Sequence, residues 1–125
     1  MVGDFRRALG QLGEELAVKH LQQLGYTVLQ RNYRCQYGEV DIIAQDEERL
    51  AFVEVRARRG TAFGTPEESV TPDKQERLAS VARCYLQEEG YDDVDWGIDV
   101  VAVQLTPRGG LRRIELIRNA VMETS

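Results

Sequence analysis

Small and apolar positions recur at helical spacing through the first two dozen residues. At about 100° per residue, Gly10, Gly13, Ala17, Leu21 and Leu24 fall on one side of a helix over residues 4 to 24, and Gly25 supplies a natural stop. Glu14 lies on that same side, about 40° from its centre, whereas Glu15 points nearly the opposite way. The glycines cost helix propensity but let another element approach closely. The period then shortens. Residues 26–30 (YTVLQ) read as a strand, RNYRCQYG as a turn, and GEVDIIAQ and LAFVEVRA as two strands joined by the polar stretch 46–49. Residues 60–70 (GTAFGTPEESV), with two glycines and a proline, read as a mobile loop.

Thr71, Pro72 and Asp73 then mark a helix start: a capping hydroxyl, a proline at the first helical position and an acid near the positive end of the dipole. Leu78, Val81, Ala82, Tyr85 and Leu86 form its apolar stripe, and extending that stripe back one turn reaches Lys74 and Gln75. WGIDVVAVQL (96–105) is strongly β-forming, residues 106–110 turn the chain, and 112–117 form a last strand. The order α-β-β-β-α-β-β predicts an α/β domain with a central mixed sheet flanked by helices. No repeat, low-complexity tract or linker divides the chain, so residues 1–125 read as one domain.

If the stretch 46–49 is the hairpin loop, Gln45 faces Leu50, and stepping back along both strands sets Asp41 opposite Glu54 and Glu39 opposite Arg56. The other face shows Val40, Ile42 and Ala44 against Ala51, Val53, Val55 and Ala57, apolar throughout and suited to a core. Two facing carboxylates repel unless something positive lies between them. Mg²⁺ or Mn²⁺ takes one or two carboxylates plus water and phosphate oxygens, so Asp41 and Glu54 are candidate metal ligands with Glu14 as a third. Such an ion lowers the pKa of bound water and stabilises charge on a phosphoryl group, which points to phosphodiester hydrolysis. The same residues also admit ordinary ion pairing, Glu54 with Arg58 or Arg34 and Glu39 with Arg56.

Composition narrows the chemistry further. One histidine (His20), two cysteines (Cys35 and Cys84) and three serines leave almost nothing for a nucleophilic triad, and no closely spaced Cys or His pairs suit zinc. The distant cysteines read as inert thiols. No run approaches the roughly 18 apolar residues of a membrane span, and the N-terminus lacks a signal-peptide core, so no membrane is expected and a cytoplasmic location is. The net charge of -5 first argues against a nucleic-acid partner. However, ten of the 21 acids fall in 46–48, 67–68 and 88–95, and removing them leaves 11 acids against 16 bases. Arg56, Arg58 and Arg59 leave the hairpin near the carboxylates. Arg31 and Arg34 enter it, interleaved with Tyr33 and Tyr37, a combination suited to phosphate contact and base stacking.

The pattern GEVD-x12-EVR resembles the D-x(n)-(D/E)-x-K signature of the restriction-endonuclease-like superfamily. More closely, GQLGEELAVKHL, GYTVLQRNYR, YGEVDIIA, FVEVRAR, FG-x-P, the Lys74 helix, IDVVAV and RNAV resemble the YraN-type family of bacterial predicted nucleases, related to archaeal Holliday junction resolvases. The resemblance implies a restriction-endonuclease-like core, Glu14, Asp41 and Glu54 as ligands of Mg²⁺ or Mn²⁺, assistance from Gln75 or Lys74, and cleavage of nucleic acid, DNA first. Related resolvases act as dimers because a junction offers two symmetric strands, so the resemblance admits a homodimer. One departure bears on mechanism: lysine is expected two positions after the glutamate, and this chain has Arg56. Arginine stays protonated and cannot serve as a base, although it can neutralise a phosphate. An impaired nucleic-acid-binding adaptor is the competing expectation.

Overall fold

The stripe of small residues forms α1, Val2–Gln23, and it ends as the glycine predicts. Gly25 takes φ +95°, its N–H donates to Gln22 O, and the Tyr26 N–H donates to Leu21 O at 2.9 Å, closing the helix with a Schellman turn. The computed structural model describes residues 2–47, 49–60 and 65–119. Beyond α1 come β1 (Thr27–Cys35), β2 (Gly38–Gln45), β3 (Arg49–Arg59), a short 3₁₀ helix (Pro66–Ser69), α2 (Pro72–Glu88), β4 (Asp95–Leu105) and β5 (Leu111–Ile117). The Thr71 hydroxyl accepts from Lys74 N and caps α2, with Pro72 and Asp73 in its first turn. Gly90 at φ +72° closes the other end.

The strands make one mixed sheet in the order β1-β2-β3-β4-β5. β3 and β4 run parallel, a pairing that needs a crossover, and α2 supplies it; the other neighbours are antiparallel. α1 covers one face, where Ala17 and Leu21 pack with Ile42, Ala44, Ala51, Val53, Val101 and Val103. At Gly13 a Cβ would lie 2.8 Å from the Ala57 Cβ, so the absence of a side chain there sets how closely α1 approaches β3. Gly10 has open space and no such role. α2 covers the opposite face, burying its predicted stripe against Ile43, Leu50 and Phe52. Tyr33, Phe52, Tyr85 and Trp96 meet there edge to face, with centroids 5.2–5.8 Å apart.

Three expectations require correction. RNYRCQYG is not a turn: residues through Cys35 continue β1, pairing from Arg31↔Ile42 to Cys35↔Gly38. Its polar composition is that of an edge strand, interrupted by a bulge between Val28 and Gln30 and by Asn32 at φ +53°. Val40 does not share a face with Ile42 but packs with Tyr33 under α2, because β1 and β2 switch faces together around Asn32 and Asp41. Within the stretch 60–70 the segment Pro66–Ser69 forms a 3₁₀ helix rather than a loop, with Pro66 buried and Glu67 paired with Arg113 at 2.7 Å, while residues 61–64 lie outside those described. Among the described residues, no helix is long and apolar enough to cross a membrane.

Candidate functional site

The hairpin register counted back from the loop holds through Gln45↔Leu50, Ala44↔Ala51, Ile43↔Phe52 and Ile42↔Val53, and there the ladder ends. β2 leaves β3 at that point, and the Asp41 carboxylate takes over as acceptor: the Val55 N–H donates to its Oδ2 at 2.8 Å. Asp41 and Glu54 are therefore not a ladder pair, yet the Glu54 side chain is near enough to raise the Asp41 pKa. Burial, then Glu54, pushes Asp41 up to about 7, while Val55 and Lys74 pull the other way. Asp41 is thus a carboxyl group that holds a proton near neutrality unless a cation replaces it.

Glu54 is 4% exposed on β3. Two cations from different elements grip the same oxygen: Lys74 Nζ of α2 lies 3.2 Å from Oε2, and Arg56 Nη2 lies 3.1 Å from it. The Arg56 Nε–H is buried without a hydrogen-bond partner among the described residues. Gln75 is turned to the backbone instead, donating from Nε2 to Val70 O at 3.2 Å, which ties α2 to the preceding loop. Neither Arg58 nor Arg34 pairs with Glu54, and Glu39 is bound by Arg34 at 2.8 Å rather than by Arg56.

Glu14 faces inward as its helical position predicts, but toward β1. Its Oε1 accepts from Arg31 Nε at 3.0 Å and from Asn32 Nδ2 at 3.2 Å. Arg31 also reaches Glu15 at 2.8 Å, and Glu15 followed by Glu14 raises its pKa further. Arg58 is half-buried on β3 beside Gln104, and Arg59 ends that strand against the Gly109 turn. Among the described residues, no group of three metal-ligating side chains converges. The donors present at the site are the two oxygen ligands Asp41 and Glu54, which suits Mg²⁺ or Mn²⁺ completed by water and phosphate oxygens. Burial and then the neighbouring Glu54 disfavour the ionised Asp41, and a bound cation would offset both.

Sequence reasoning missed two further groupings. Asp99, fully buried in the apolar β4, accepts two hydrogen bonds from Arg49 at 2.8 Å each, and Asn119 closes the cluster with its N–H on Asp99 and its side-chain oxygen on Arg49. The signal was present as a single acid in WGIDVVAVQL two residues after a glycine: a Cβ at Gly97 would collide with the Arg49 guanidinium. Cys35 and Cys84 are both free and partly buried, and the Cys35 thiol helps to raise the Cys84 pKa despite their distance in sequence.

Comparison with known proteins adds a family to this geometry. The family model described as Uncharacterised protein family UPF0102 matches residues 13–103. A UPF0102 protein of Syntrophus aciditrophicus is 47% identical over 111 residues, covering 89% of this chain and 86% of that protein. Another from Desulforamulus reducens is 45% identical over 118 residues, covering 93% and 97%. A third from Caldicellulosiruptor saccharolyticus is 43% identical over 115 residues, covering 92% and 98%.

Proposed function

The chain belongs to the UPF0102 family, and from the site it carries we propose that it is a metal-dependent endonuclease, hydrolysing phosphodiester bonds of DNA, branched or single-stranded, in repair or recombination. The observation that carries this reading is the convergence of Lys74 and Arg56 on the buried Glu54, beside Asp41, whose carboxylate accepts from the Val55 N–H of the same strand as Glu54. Asp41 and Glu54 would hold Mg²⁺ or Mn²⁺, which when bound supplies an acidified water and charge stabilisation at phosphorus. Around it this chain's own residues bring two positive charges to bear on a single oxygen of Glu54. Arg56 would neutralise a phosphate oxygen with its guanidinium charge. Lys74 contributes an ammonium from α2, so the lysine missing two positions after Glu54 is replaced from another element. Nothing in this arrangement reads bases, so selectivity is for nucleic-acid structure. Arg31 and Arg34 on the β1 edge, with Arg58 and Arg59, extend the phosphate-binding surface.

The test is a panel of duplex, single-stranded, flap and four-way DNA and RNA with Mg²⁺ or Mn²⁺. Cleavage of at least one substrate by the wild type and its loss in Asp41→Asn is the expected result. The double engagement of Glu54 Oε2 by cations favours a second reading, a nucleic-acid-binding adaptor whose carboxylate is neutralised without metal. Salt-sensitive binding without cleavage on any substrate selects that reading.

A further inference from the structure

Cys35 is the last residue of β1 and packs against the aromatic cluster beneath α2. It pairs with Gly38, where a Cβ would touch Val81 Cγ2 at 3.7 Å, so this strand end lies over α2 at Val81. Cys84 follows Val81 by one helical turn and projects on the same side. Glu88, a turn further on, bridges strand and helix, accepting from Tyr33 at 2.7 Å and from the Cys84 thiol at 3.5 Å. Cys35 lies two residues from Tyr33 on the same face of β1, so the Glu88 carboxylate shared by Tyr33 and Cys84 brings this strand end over Cys84, and the Cys35 thiol raises the Cys84 pKa. Both cysteines are unpaired and partly exposed, hence reachable by a small solute.

We propose that Cys35 and Cys84 form a dithiol site that a small-molecule disulfide oxidises to an intramolecular disulfide joining β1 to α2. One thiol loses its proton and attacks a sulfur of the reagent, forming a mixed disulfide and releasing one small thiol. The second thiolate attacks the protein sulfur of that mixed disulfide, forming the Cys35–Cys84 bond and expelling the other small thiol. Two protein thiols are oxidised and one reagent disulfide is reduced to two thiols, so atoms and electrons balance. The chain closed by this bond contains Asp41, Glu54 and Lys74, and cross-linking it restricts the unfolded state while tying α2 to the sheet. The Tyr33 hydroxyl lowers the Cys84 pKa, but Cys35, burial and Glu88 outweigh it, so exchange is followed in mildly alkaline buffer.

The full-length protein is incubated with oxidised glutathione at about pH 8.5 and analysed by intact mass, peptide mapping and thermal melting. The expected product is lighter by two hydrogens, yields one reducible peptide pair carrying Cys35 and Cys84, and melts at least about 5 °C higher. Cys35→Ala and Cys84→Ala should each retain a single glutathione and gain no comparable stability. Stable glutathione adducts on both wild-type cysteines, disulfide-linked dimers, or two thiols that stay free would overturn the proposal. These wild-type outcomes decide it even if a single variant folds poorly.

Discussion

The ammonium of Lys74 sits 3.2 Å from the carboxylate of Glu54, joining the first turn of α2 to the middle of β3. Removing that ammonium takes a competitor away from Glu54 without touching a carboxylate. Lys74→Ala is expected to cleave at least about 100-fold more slowly while binding Mg²⁺ or Mn²⁺ as tightly as wild type or more tightly. Calorimetry and single-turnover assays separate the two effects. Equal loss of metal binding and cleavage would give Lys74 a purely architectural role.

Arg56→Lys tests the same arrangement from the strand side. With Lys74 already supplying an ammonium, this change should alter cleavage by less than about tenfold, since it exchanges one phosphate-neutralising cation for another. Appearance of cleavage in Arg56→Lys from a parent with none would instead support the adaptor reading.

Asp41 makes the metal-free protein sensitive to pH. Its folded pKa of about 7 exceeds the ordinary 3.8, so the native state retains a proton that the unfolded chain has released. Stability from this group is full below the ordinary pKa and declines as pH rises to about 7. Urea titrations should show wild type losing on the order of 1–4 kcal/mol relative to Asp41→Asn between pH 4.5 and 8. Mg²⁺ requires the ionised carboxyl, so its affinity should move in the opposite direction and strengthen as pH rises.

Two glycines one turn apart should respond with opposite signs. Gly10→Ala meets open space and should stabilise by about 0.5–1 kcal/mol through helix propensity. Gly13→Ala forces the Ala57 contact apart and should cost about 1–2 kcal/mol net of that gain. Chemical denaturation of both variants measures the difference, and equal effects would contradict the close approach of α1 to β3.

Asp99→Ala should be the most damaging of these changes, at about 3–5 kcal/mol, because it strands the nearly buried Arg49 guanidinium. Thermal melting provides the measurement. A loss below about 1 kcal/mol would mean that Asn119 or solvent replaces the lost partner.

The elements were legible where local rules are strong. A short polar loop between two alternating runs gave the hairpin register as far as Ile42↔Val53, and Thr71-Pro72-Asp73 marked the start of α2. Extrapolation failed one residue later because the bend at Asp41 answers to Asn32 on the neighbouring strand, a left-handed residue with no signature in β2 itself. The second half of β1, from Arg31 to Cys35, reads as a turn since edge strands tolerate the polar residues that turns also use. Helical angle placed Glu14 inward, but the element it meets depends on how α1 crosses the sheet. The Lys74–Glu54 and Tyr33–Glu88 contacts arise from the docking of α2 and have no counterpart in local pattern.

The bulge after Val28 and the left-handed Asn32 also govern what the outer side of β1 can accept. An incoming strand requires evenly spaced donors and acceptors, and β1 offers two breaks in that spacing within nine residues, flanked by Arg31 and Arg34. Continuous β-sheet growth across this margin is thereby blocked. β5, at the opposite margin, skips Arg112 but pairs without interruption from Arg113 to Ile117, so a second copy extending the sheet would find its regular stretch there.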